Sequence, residues 1–433
     1  MSPNTAAILG LIFLFVLMAL RMPVSFAMIL AGFLGNAYIV STDAAIYMLA
    51  TNVWGQLTSY GLSVIPMFVL MGQLAYHSGI TERLYDAAYK WVGRLPGGLA
   101  ITTILSSAGF AAICGSNSAA TATMGTIALP EMKRYGYDRA LSAGTVAIGG
   151  TLGVVIPPSV VLIIIAVQTE QSIIPLFIAC IVPGVFLTLL FSLIVFWLCT
   201  RNPNLGPPGS RTKMREKLIS LTGVAEAMIL FLLVIGGLYA GWFTPTEAGA
   251  AGSFGALLIG LTRRKLSKQG FAKAITETIR TSAMVVMLIT GAVIFGKFLT
   301  VTRLPFELAD WAVSLNVPRE AILLVVLLIY LVGGCLMDAL GFLVVTIPIF
   351  FPLSQALGFD PVWFAVVITL VTTMGAVTPP VAVNVYIVKG LSPDVPIETI
   401  FRGVYIFLVA YVICLVLLFI FPEMALFLPK FLL

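Results

Sequence analysis

Histidine, charged residues and paired cysteines are all scarce in this chain of 433 residues. His77 is the one histidine, so neither a histidine metal cluster nor Ser–His catalysis is expected. The five cysteines lie apart in apolar runs without CxxC spacing, which supports neither a disulfide framework nor a metal site. The sequence also lacks a GxxxxGKS or GxxxxGKT motif, so we do not expect ATP hydrolysis by this chain. These absences argue against an enzyme and against a cofactor.

Apolar residues dominate the composition of the chain. Hydrophobic residues make up 60% of the chain and charged residues 10%, and the mean hydropathy is +1.08. This composition predicts an all-α polytopic membrane protein in contact with membrane lipid. The first apolar run, residues 6–20, has no basic residue before it and no small-residue cleavage site after it. It therefore predicts a retained membrane helix rather than a signal peptide.

Proline and glycine landmarks recur at one spacing of 222 residues. The matched pairs are Pro23 with Pro245, Pro130 with Pro352, Pro157 with Pro379, Pro158 with Pro380, Gly153 with Gly375, and Thr151 with Thr373. The spacing predicts two homologous halves, 1–205 and 220–433, joined by a cytoplasmic linker at 206–219. Internal repeats of this kind are typical of secondary transporters, whose sites form near the bilayer midplane where the repeats meet.

The net charge is +6, and the distribution of the basic residues predicts the orientation of the chain in the membrane. It does not indicate a nucleic-acid partner, and none is expected. With the N-terminus outside, most of the 24 Lys and Arg residues fall on the inside, in the linker and in segments 79–97, 132–139 and 263–280. The reverse topology would place them on the wrong side, and we reject it. The two halves are then antiparallel, and both chain ends are outside.

Residues 115–123, GSNSAATAT, place small hydroxyl and amide side chains between apolar runs. Because a spanning helix needs about 20 mostly apolar residues, this stretch would lie at membrane depth. Two interpretations stay open from these residues alone. One is a re-entrant hairpin over about 99–131, and the other is a kinked spanning helix whose Ser and Thr face neighbouring helices. The repeat favours the hairpin, because Ser116 maps onto Asp338 in a second hairpin at about 321–354.

Each predicted hairpin precedes a helix that cannot stay continuous. GTLGVVIPPS (150–159) and TTMGAVTPPVAVN (372–384) each place a glycine four residues before a Pro-Pro pair. Two prolines remove two backbone donors and clash with the preceding turn. We therefore predict broken helices over 140–167 and 361–389. Unwound carbonyls can coordinate a small cation, and the N-terminal ends of half-helices favour an anion.

Oxygen ligands are concentrated where the hairpin tips and broken helices would meet, and Na⁺ takes such ligands. Asp338 is notable because an ionisable group inside the membrane is costly and is a functional candidate by default; the alternative is a turn cap. Tips rich in Ser and Thr also suit an anionic substrate, such as a carboxylate, bound together with Na⁺. The candidate ligands from the residues alone are Ser116, Asn117, Ser118, Thr121, Thr151 and Asp338.

Three charged stretches have the pattern of helices that lie flat on the membrane. In 81–95, apolar and charged residues form separate helical stripes, and 303–317 is its counterpart at the same spacing. Segment 265–280 is a similar basic arm. The alternative for these stretches is an ordinary cytoplasmic loop helix. Two embedded charges, Glu226 and Lys297, are left out of the site because each can reach the interface.

The paired motifs resemble those of one transporter family over essentially the whole chain. GSNSAATAT followed by Pro130, GVVIPPS, the Asp338 hairpin and GAVTPPVAVN look like the large membrane subunit of tripartite ATP-independent periplasmic (TRAP) transporters, the DctM-like component. The resemblance implies import of a carboxylate, such as a C4-dicarboxylate or sialic acid, across the bacterial inner membrane. It implies a Na⁺ gradient as the driving force, and an elevator in which hairpins and broken helices move against a scaffold of the other helices.

The resemblance also implies partners and ligands. The partners are a DctQ-like small membrane subunit of four helices, expected as a separate chain, and a DctP-like periplasmic substrate-binding protein. Family sodium sites lie where hairpin tips meet broken helices. They map onto Ser116, Asn117, Ser118, Thr151, Gly153 and Pro157, and onto Asp338, Thr373, Gly375 and Thr378. The substrate candidates are Ser116, Ser118, Thr121 and Asn384.

Other functions remain as alternatives. A stand-alone Na⁺-coupled transporter of the divalent-anion or citrate type would have similar hairpins but no binding protein. A channel would not need matched inverted halves with broken helices. An intramembrane enzyme would need a nucleophile with its base, or a metal cluster, and the scarcity of His and Cys argues against that.

Overall fold

The computed structural model describes residues 2–432, and within this range all regular secondary structure is helical. This confirms the predicted all-α membrane fold. The first half comprises α1 (Pro3–Ala19), α2 (Val24–Ile39), α3 (Thr42–Leu57), α4 (Val64–His77), α5 (Ile80–Val92), α6 (Gly98–Cys114), α7 (Asn117–Arg134), α8 (Arg139–Val155), α9 (Val160–Thr169) and α10 (Ile173–Arg201). Short 3-10 turns precede α4 and follow α10.

The second half contains the remaining helices. It comprises α11 (Met214–Phe231), α12 (Gly237–Tyr239), α13 (Pro245–Thr262), α14 (Lys268–Thr302), α15 (Leu304–Ser314), α16 (Arg319–Leu336), α17 (Ala339–Ala356), α18 (Pro361–Gly375), α19 (Val383–Leu391), α20 (Ile397–Ile420) and α21 (Glu423–Leu432). A π turn, Leu232–Gly236, joins α11 and α12 in one span. The helix α11 begins inside the predicted linker 206–219.

Helix bounds in the two halves agree with the spacing of the sequence landmarks. The starts of α16, α17, α18 and α19 fall within one residue of those of α6, α7, α8 and α9 shifted by 222. The Pro-Pro pairs follow α8 and α18, and the matched glycines Gly136 and Gly358, both with positive φ, follow α7 and α17, so these helices end at similar positions in both halves. These bounds support the proposed division into repeats.

The helices pack as two groups. In the first group, α14 lies against α2 and α4, and α13 lies against α4. In the second group, α8 lies at the centre, between α6, α7 and α20. Every residue of α8 from Leu141 to Val155 is buried, and so is every residue of α18 from Trp363 to Gly375. Helices that are apolar on all sides are surrounded by protein, so these two helices form the core of the second group.

Seven helices in the described part of the chain are long and apolar enough to cross a membrane. They include α16 and α17, which only Met337 and Asp338 connect. In the first hairpin, α6 is a shorter apolar helix, and α7 contains the polar stretch. Re-entry of the two hairpins, rather than full crossing, therefore stays a prediction.

One expectation about the first group needs correction, and one of its helices was not expected. Segment 265–280 is not a separate flat arm, because α14 continues without a break through 35 residues. At 1.5 Å per residue the helix is about 52 Å long, so its charged first turns extend beyond a hydrocarbon core of about 30 Å. The helix α3 was not predicted, and it meets the Tyr60–His77 segment at a bend of 48°.

Candidate functional site

The tip of the first hairpin is a tight turn between α6 and α7. Gly115 has a φ of +63°, the left-handed conformation that glycine adopts at the ends of helices. Ser116 caps α7, and its hydroxyl accepts a hydrogen bond from the Ala119 N–H at 3.4 Å. The Asn117 Oδ1 accepts one from the Ser118 N–H at 2.7 Å, while the buried Asn117 Nδ2 has no partner among the described residues. The tip therefore presents amide and hydroxyl groups with spare capacity.

The first broken helix touches this tip. Pro157 and Pro158 carry no N–H, so the carbonyl groups of Gly153 and Val154 lose their helical donors between α8 and α9. The chain resumes as a helix at Val160. Tip and break are thus adjacent polar backbone segments inside the core.

Two contacts hold the tip against the break. The Val160 N–H donates a hydrogen bond to the Gly115 carbonyl oxygen at 3.2 Å. A Cβ on Gly153 would lie 2.5 Å from the carbonyl oxygen of Ser116. Since real Cβ atoms do not come that close, only glycine permits this approach of α8 to the tip.

The second hairpin makes an equivalent arrangement. Asp338 caps α17, and its Oδ2 accepts a hydrogen bond from the Leu340 N–H at 3.2 Å. The Cys335 carbonyl oxygen accepts hydrogen bonds from the Val381 and Ala382 N–H groups at 3.2 and 3.1 Å. Ala382 has a φ of +57°, which is rare for a residue with a Cβ. Such strained backbone tends to occur at functional sites, where the surrounding structure maintains it.

Glycine again allows the second broken helix to approach its hairpin. A Cβ on Gly375 would lie 2.6 Å from the carbonyl carbon of Gly334, and one on Gly334 would lie 2.5 Å from the Thr372 oxygen. The hydroxyl of Thr373 is buried and donates to the Thr369 carbonyl oxygen at 2.5 Å. The α16–α18 contact is therefore close and fixed.

Both hairpin tips line one cavity of about 550 Å³, which we call the central cavity. The first tip contributes Ser116, Asn117 and Ser118, and the second contributes Asp338. The N-terminal ends of α7 and α17 meet there, so two sets of helix dipoles favour negative charge at the same place. The carboxylate, amide and hydroxyl oxygens of the two tips are of the type that Na⁺ takes as ligands.

The predicted site residues divide into those that line this cavity and those behind it. Thr121 donates to the Asn117 carbonyl oxygen at 2.8 Å, and Thr151 donates to that of Ile148 at 2.5 Å. Both hydroxyls are buried in helix packing and do not line the cavity. The other predicted residues outside the lining are Gly153, Pro157, Thr373, Gly375, Thr378 and Asn384.

The sequence analysis missed the opposite wall. Gln73 and Tyr76 of α4, and Glu277 and Thr281 of α14, line the central cavity together with Thr123 of α7. Gln73 and Tyr76 carried a weak signal, as polar groups within an apolar helix. Glu277 gave none, because it lies among the basic residues of segment 265–280, which indicated a flat arm at the membrane surface.

Comparisons with known proteins agree with this architecture. The family model described as "Tripartite ATP-independent periplasmic transporter, DctM component" matches residues 11–424. The chain is 34% identical over 385 residues to the C4-dicarboxylate TRAP transporter large permease protein DctM of Pseudomonas aeruginosa, covering 89% of this chain and 90% of that protein. It is 32% identical over 411 residues to the sialic acid TRAP transporter large permease protein SiaM of Vibrio cholerae, covering 94% and 95%.

A solved structure shares the fold. The crystal structure of the YdaH transporter of Alcanivorax borkumensis, described as having an unusual topology, aligns with a TM-score of 0.56 at 15% sequence identity. The alignment covers 88% of this chain and 89% of that one. With the family model matching nearly all of its length, this chain belongs to the DctM family, the large permease component of TRAP transporters.

Proposed function

We propose that this chain is the membrane permease of a Na⁺-coupled importer of an organic carboxylate. The observation that carries the proposal is that both hairpin tips line one cavity, where two helix N-terminal ends and the Asp338 carboxylate meet. Helix N-terminal ends stabilise a carboxylate. The carboxyl group and the hydroxyl and amide oxygens provide ligands for Na⁺, whose charge offsets that of the substrate.

The charges of the lining explain why the substrate and the ion would bind together. Asp338 and Glu277 are the acidic residues of the lining, and no Lys or Arg among residues 2–432 lines the central cavity. An anionic substrate would therefore meet net negative side chains unless cations accompanied it. This requirement links substrate binding to Na⁺ binding, which is the condition for symport.

The packing around the cavity supports an elevator. The helix α17 packs against α14 and α15, whereas the central cavity separates the N-terminal part of α7 from α4 and α14. The cavity extends from the tips to Tyr76 and Glu277, at the basic end of α14. With the orientation expected from the basic residues, this is an inward-facing arrangement. In the outward-facing arrangement the second group of helices would move, so that α7 packs and α17 separates.

We infer the remaining parts of the system from family membership. The chain is a multi-pass bacterial membrane protein, and we propose that it lies in the inner membrane with both ends in the periplasm. A small membrane subunit and a periplasmic substrate-binding protein would complete the transporter. The relatives transport a C4-dicarboxylate in one case and sialic acid in another, so the proposed substrate is an organic acid of this class.

Reconstitution tests the proposal. Proteoliposomes containing the chain and its small subunit should accumulate labelled C4-dicarboxylate or sialic acid only with an inward Na⁺ gradient and the loaded binding protein. A K⁺ gradient of equal size is the control. Uptake of free substrate without the binding protein would support the stand-alone divalent-anion or citrate-type alternative. Equal uptake in the Na⁺ and K⁺ gradients would contradict Na⁺ coupling.

A further inference from the structure

A second cavity, of about 490 Å³, lies at the other end of α14. It is lined by residues of α3 and α14 and by residues of α9 and α17, so its walls come from both groups of helices. Its polar lining residues are Asn52, Gln56, Gln168, Glu170, Lys297 and Thr300. Among the described residues, Lys297 is the single basic residue of this lining. We call this second cavity the outer cavity, following the proposed orientation.

One helix places opposite charges in the two cavities. Glu277 of α14 lines the central cavity, and Lys297 of the same helix lines the outer cavity. The two residues are about 30 Å apart along the helix axis, at 1.5 Å per residue. Because α14 is continuous and belongs to the group that would remain fixed, their separation does not change when the other group moves.

Neither charge is neutralised by an ion pair. Within the described part of the chain, neither Glu277 nor Lys297 has an oppositely charged side-chain atom within 4.0 Å. Glu170 shares the outer cavity with Lys297, but it belongs to the end of α9 in the other group. In an elevator movement Glu170 would leave with that group, and Lys297 would remain in the opening outer cavity.

We propose that Lys297 and Glu277 of α14 make local contributions of opposite sign to the electrostatic potentials at the two mouths of the transport path. Lys297 attracts the substrate carboxylate at the periplasmic mouth, and Glu277 repels it and attracts departing Na⁺ at the cytoplasmic mouth. Charged clefts with low-dielectric walls raise or lower the local concentration of an ion in this way. The inference rests on the proposed import of an anion for its purpose, but the potentials themselves can be measured without transport.

Lys297 and Glu277 have a different role from that of the hairpin tips. The tips bind the substrate and Na⁺ in either arrangement, because they move together. Lys297 would be near the substrate only in the outward-facing arrangement, and Glu277 only in the inward-facing one. They therefore make the apparent affinity for the anion higher on the periplasmic side than on the cytoplasmic side.

Reporter thiols test the potentials directly. All five native cysteines are buried, but Cys114 lines the central cavity, so each reporter cysteine is introduced into a Cys114→Ala background, and that background without a reporter gives the baseline. Thr300→Cys places a thiol one turn after Lys297 in the outer cavity, and Thr281→Cys places one a turn after Glu277 in the central cavity. The purified full chain in nanodiscs exposes both faces. The measured quantity is the ratio of modification rates by an anionic and a cationic methanethiosulfonate reagent of similar size.

Neutral variants should change these ratios in opposite directions. On Lys297→Gln, the anionic-to-cationic ratio at the Thr300→Cys thiol should fall roughly tenfold, since a unit charge about 6 Å away changes each rate by about threefold in water. On Glu277→Gln, the ratio at the Thr281→Cys thiol should rise by a similar factor. Both effects should shrink in about 1 M salt, where the Debye length is about 3 Å.

Matched variants that keep the charge are the controls. Lys297→Arg and Glu277→Asp should leave the ratios within about twofold of the parent. An unchanged ratio on Lys297→Gln would mean that the ammonium group reaches away from the cavity, and it would overturn the outer half of the proposal. An unchanged ratio on Glu277→Gln would overturn the inner half. Changed ratios without Na⁺-dependent uptake would leave the potentials standing and contradict only the proposed transport function.

Discussion

The Asn384 Nδ2 donates a hydrogen bond to the main-chain carbonyl oxygen of Ala147 at 3.1 Å, which joins the second broken helix to the first. The Asn384 side chain is completely buried, and its Oδ1 has no partner among the described residues. A buried acceptor without a partner is costly unless a cation or water completes it. Asn384 therefore connects the two halves and offers one spare oxygen beside the breaks.

Replacing Asn384 with leucine should remove both features. We expect Asn384→Leu to lower the free energy of unfolding by about 1–2 kcal/mol and to reduce the rise in melting temperature that Na⁺ produces. Thermal unfolding in detergent with and without Na⁺ measures both. Asn36→Leu is the control, because the buried Asn36 amide donates at the same distance, 3.1 Å, but only within its own helix. An unchanged Na⁺ effect in Asn384→Leu would limit Asn384 to a structural role.

Gly153 sets the distance between the first broken helix and the tip. In Gly153→Ala the new Cβ would lie 2.5 Å from the Ser116 carbonyl oxygen, so the tip must move. Because a displacement near 1 Å is enough to disrupt a ligand set, we expect Na⁺-dependent uptake to fall at least tenfold. Gly55→Ala in α3 is the control, since its Cβ would meet no atom within 4 Å. Equal uptake by both variants would contradict close packing at the tip.

Glu226 is buried and forms ion pairs with Arg83 of α5 and with Arg263 at the end of α13, the latter at 2.7 Å. Glu226→Gln would leave two arginines facing each other. Both arginines are partly exposed, so we expect the free energy of unfolding to fall by about 1–3 kcal/mol, less than for a fully buried pair. The melting temperature in detergent measures it. Glu423→Gln is the control, because its pair with Lys430 is 61% exposed on both sides and should contribute under about 1 kcal/mol.

Lys133 at the end of α7 donates a hydrogen bond to Asp394 at 2.9 Å. This bond lowers the pKa of Asp394 from its ordinary value of 3.8. Because the folded pKa lies below the unfolded one, the pair stabilises the fold above the ordinary value, and the effect is lost as the pH falls through the folded pKa. The melting temperatures of the parent and Lys133→Met should therefore differ at neutral pH and converge on acidification. The control, Lys213→Met, removes an exposed lysine without an ion pair, and its difference should not depend on pH.

Local signals in the sequence predicted the parts of the site that local chemistry determines. The turn at Gly115 and Ser116 and the Pro-Pro pairs interrupt helices through local chemistry, so the tips and breaks could be placed within a few residues. The wall from α4 and α14 could not, because Gln73 and Glu277 face the cavity only through the packing of distant segments. Charge also misled at 265–280, where a long helix simply extends out of the membrane.

Asp338 combines two roles that a single substitution can separate. It caps α17 through the Leu340 N–H, and its carboxylate lines the central cavity. Asparagine caps helices about as well as aspartate does, so Asp338→Asn removes the charge and keeps the cap. We expect the Na⁺ concentration for half-maximal uptake to rise at least tenfold, because a cation site loses its charged ligand. Uptake in proteoliposomes across a Na⁺ series measures it.

The matched control is Asp360→Asn. Asp360 caps α18 through the Val362 and Trp363 N–H groups at 2.9 and 3.0 Å, and it is exposed outside the central cavity. If capping were the main role of both aspartates, the two variants would shift the Na⁺ dependence equally and slightly. A shift confined to Asp338→Asn would instead assign the carboxylate to ion coupling. Because both variants keep a cap at a helix N-terminal end, their melting temperatures without Na⁺ should stay close, so lost folding would not account for the difference.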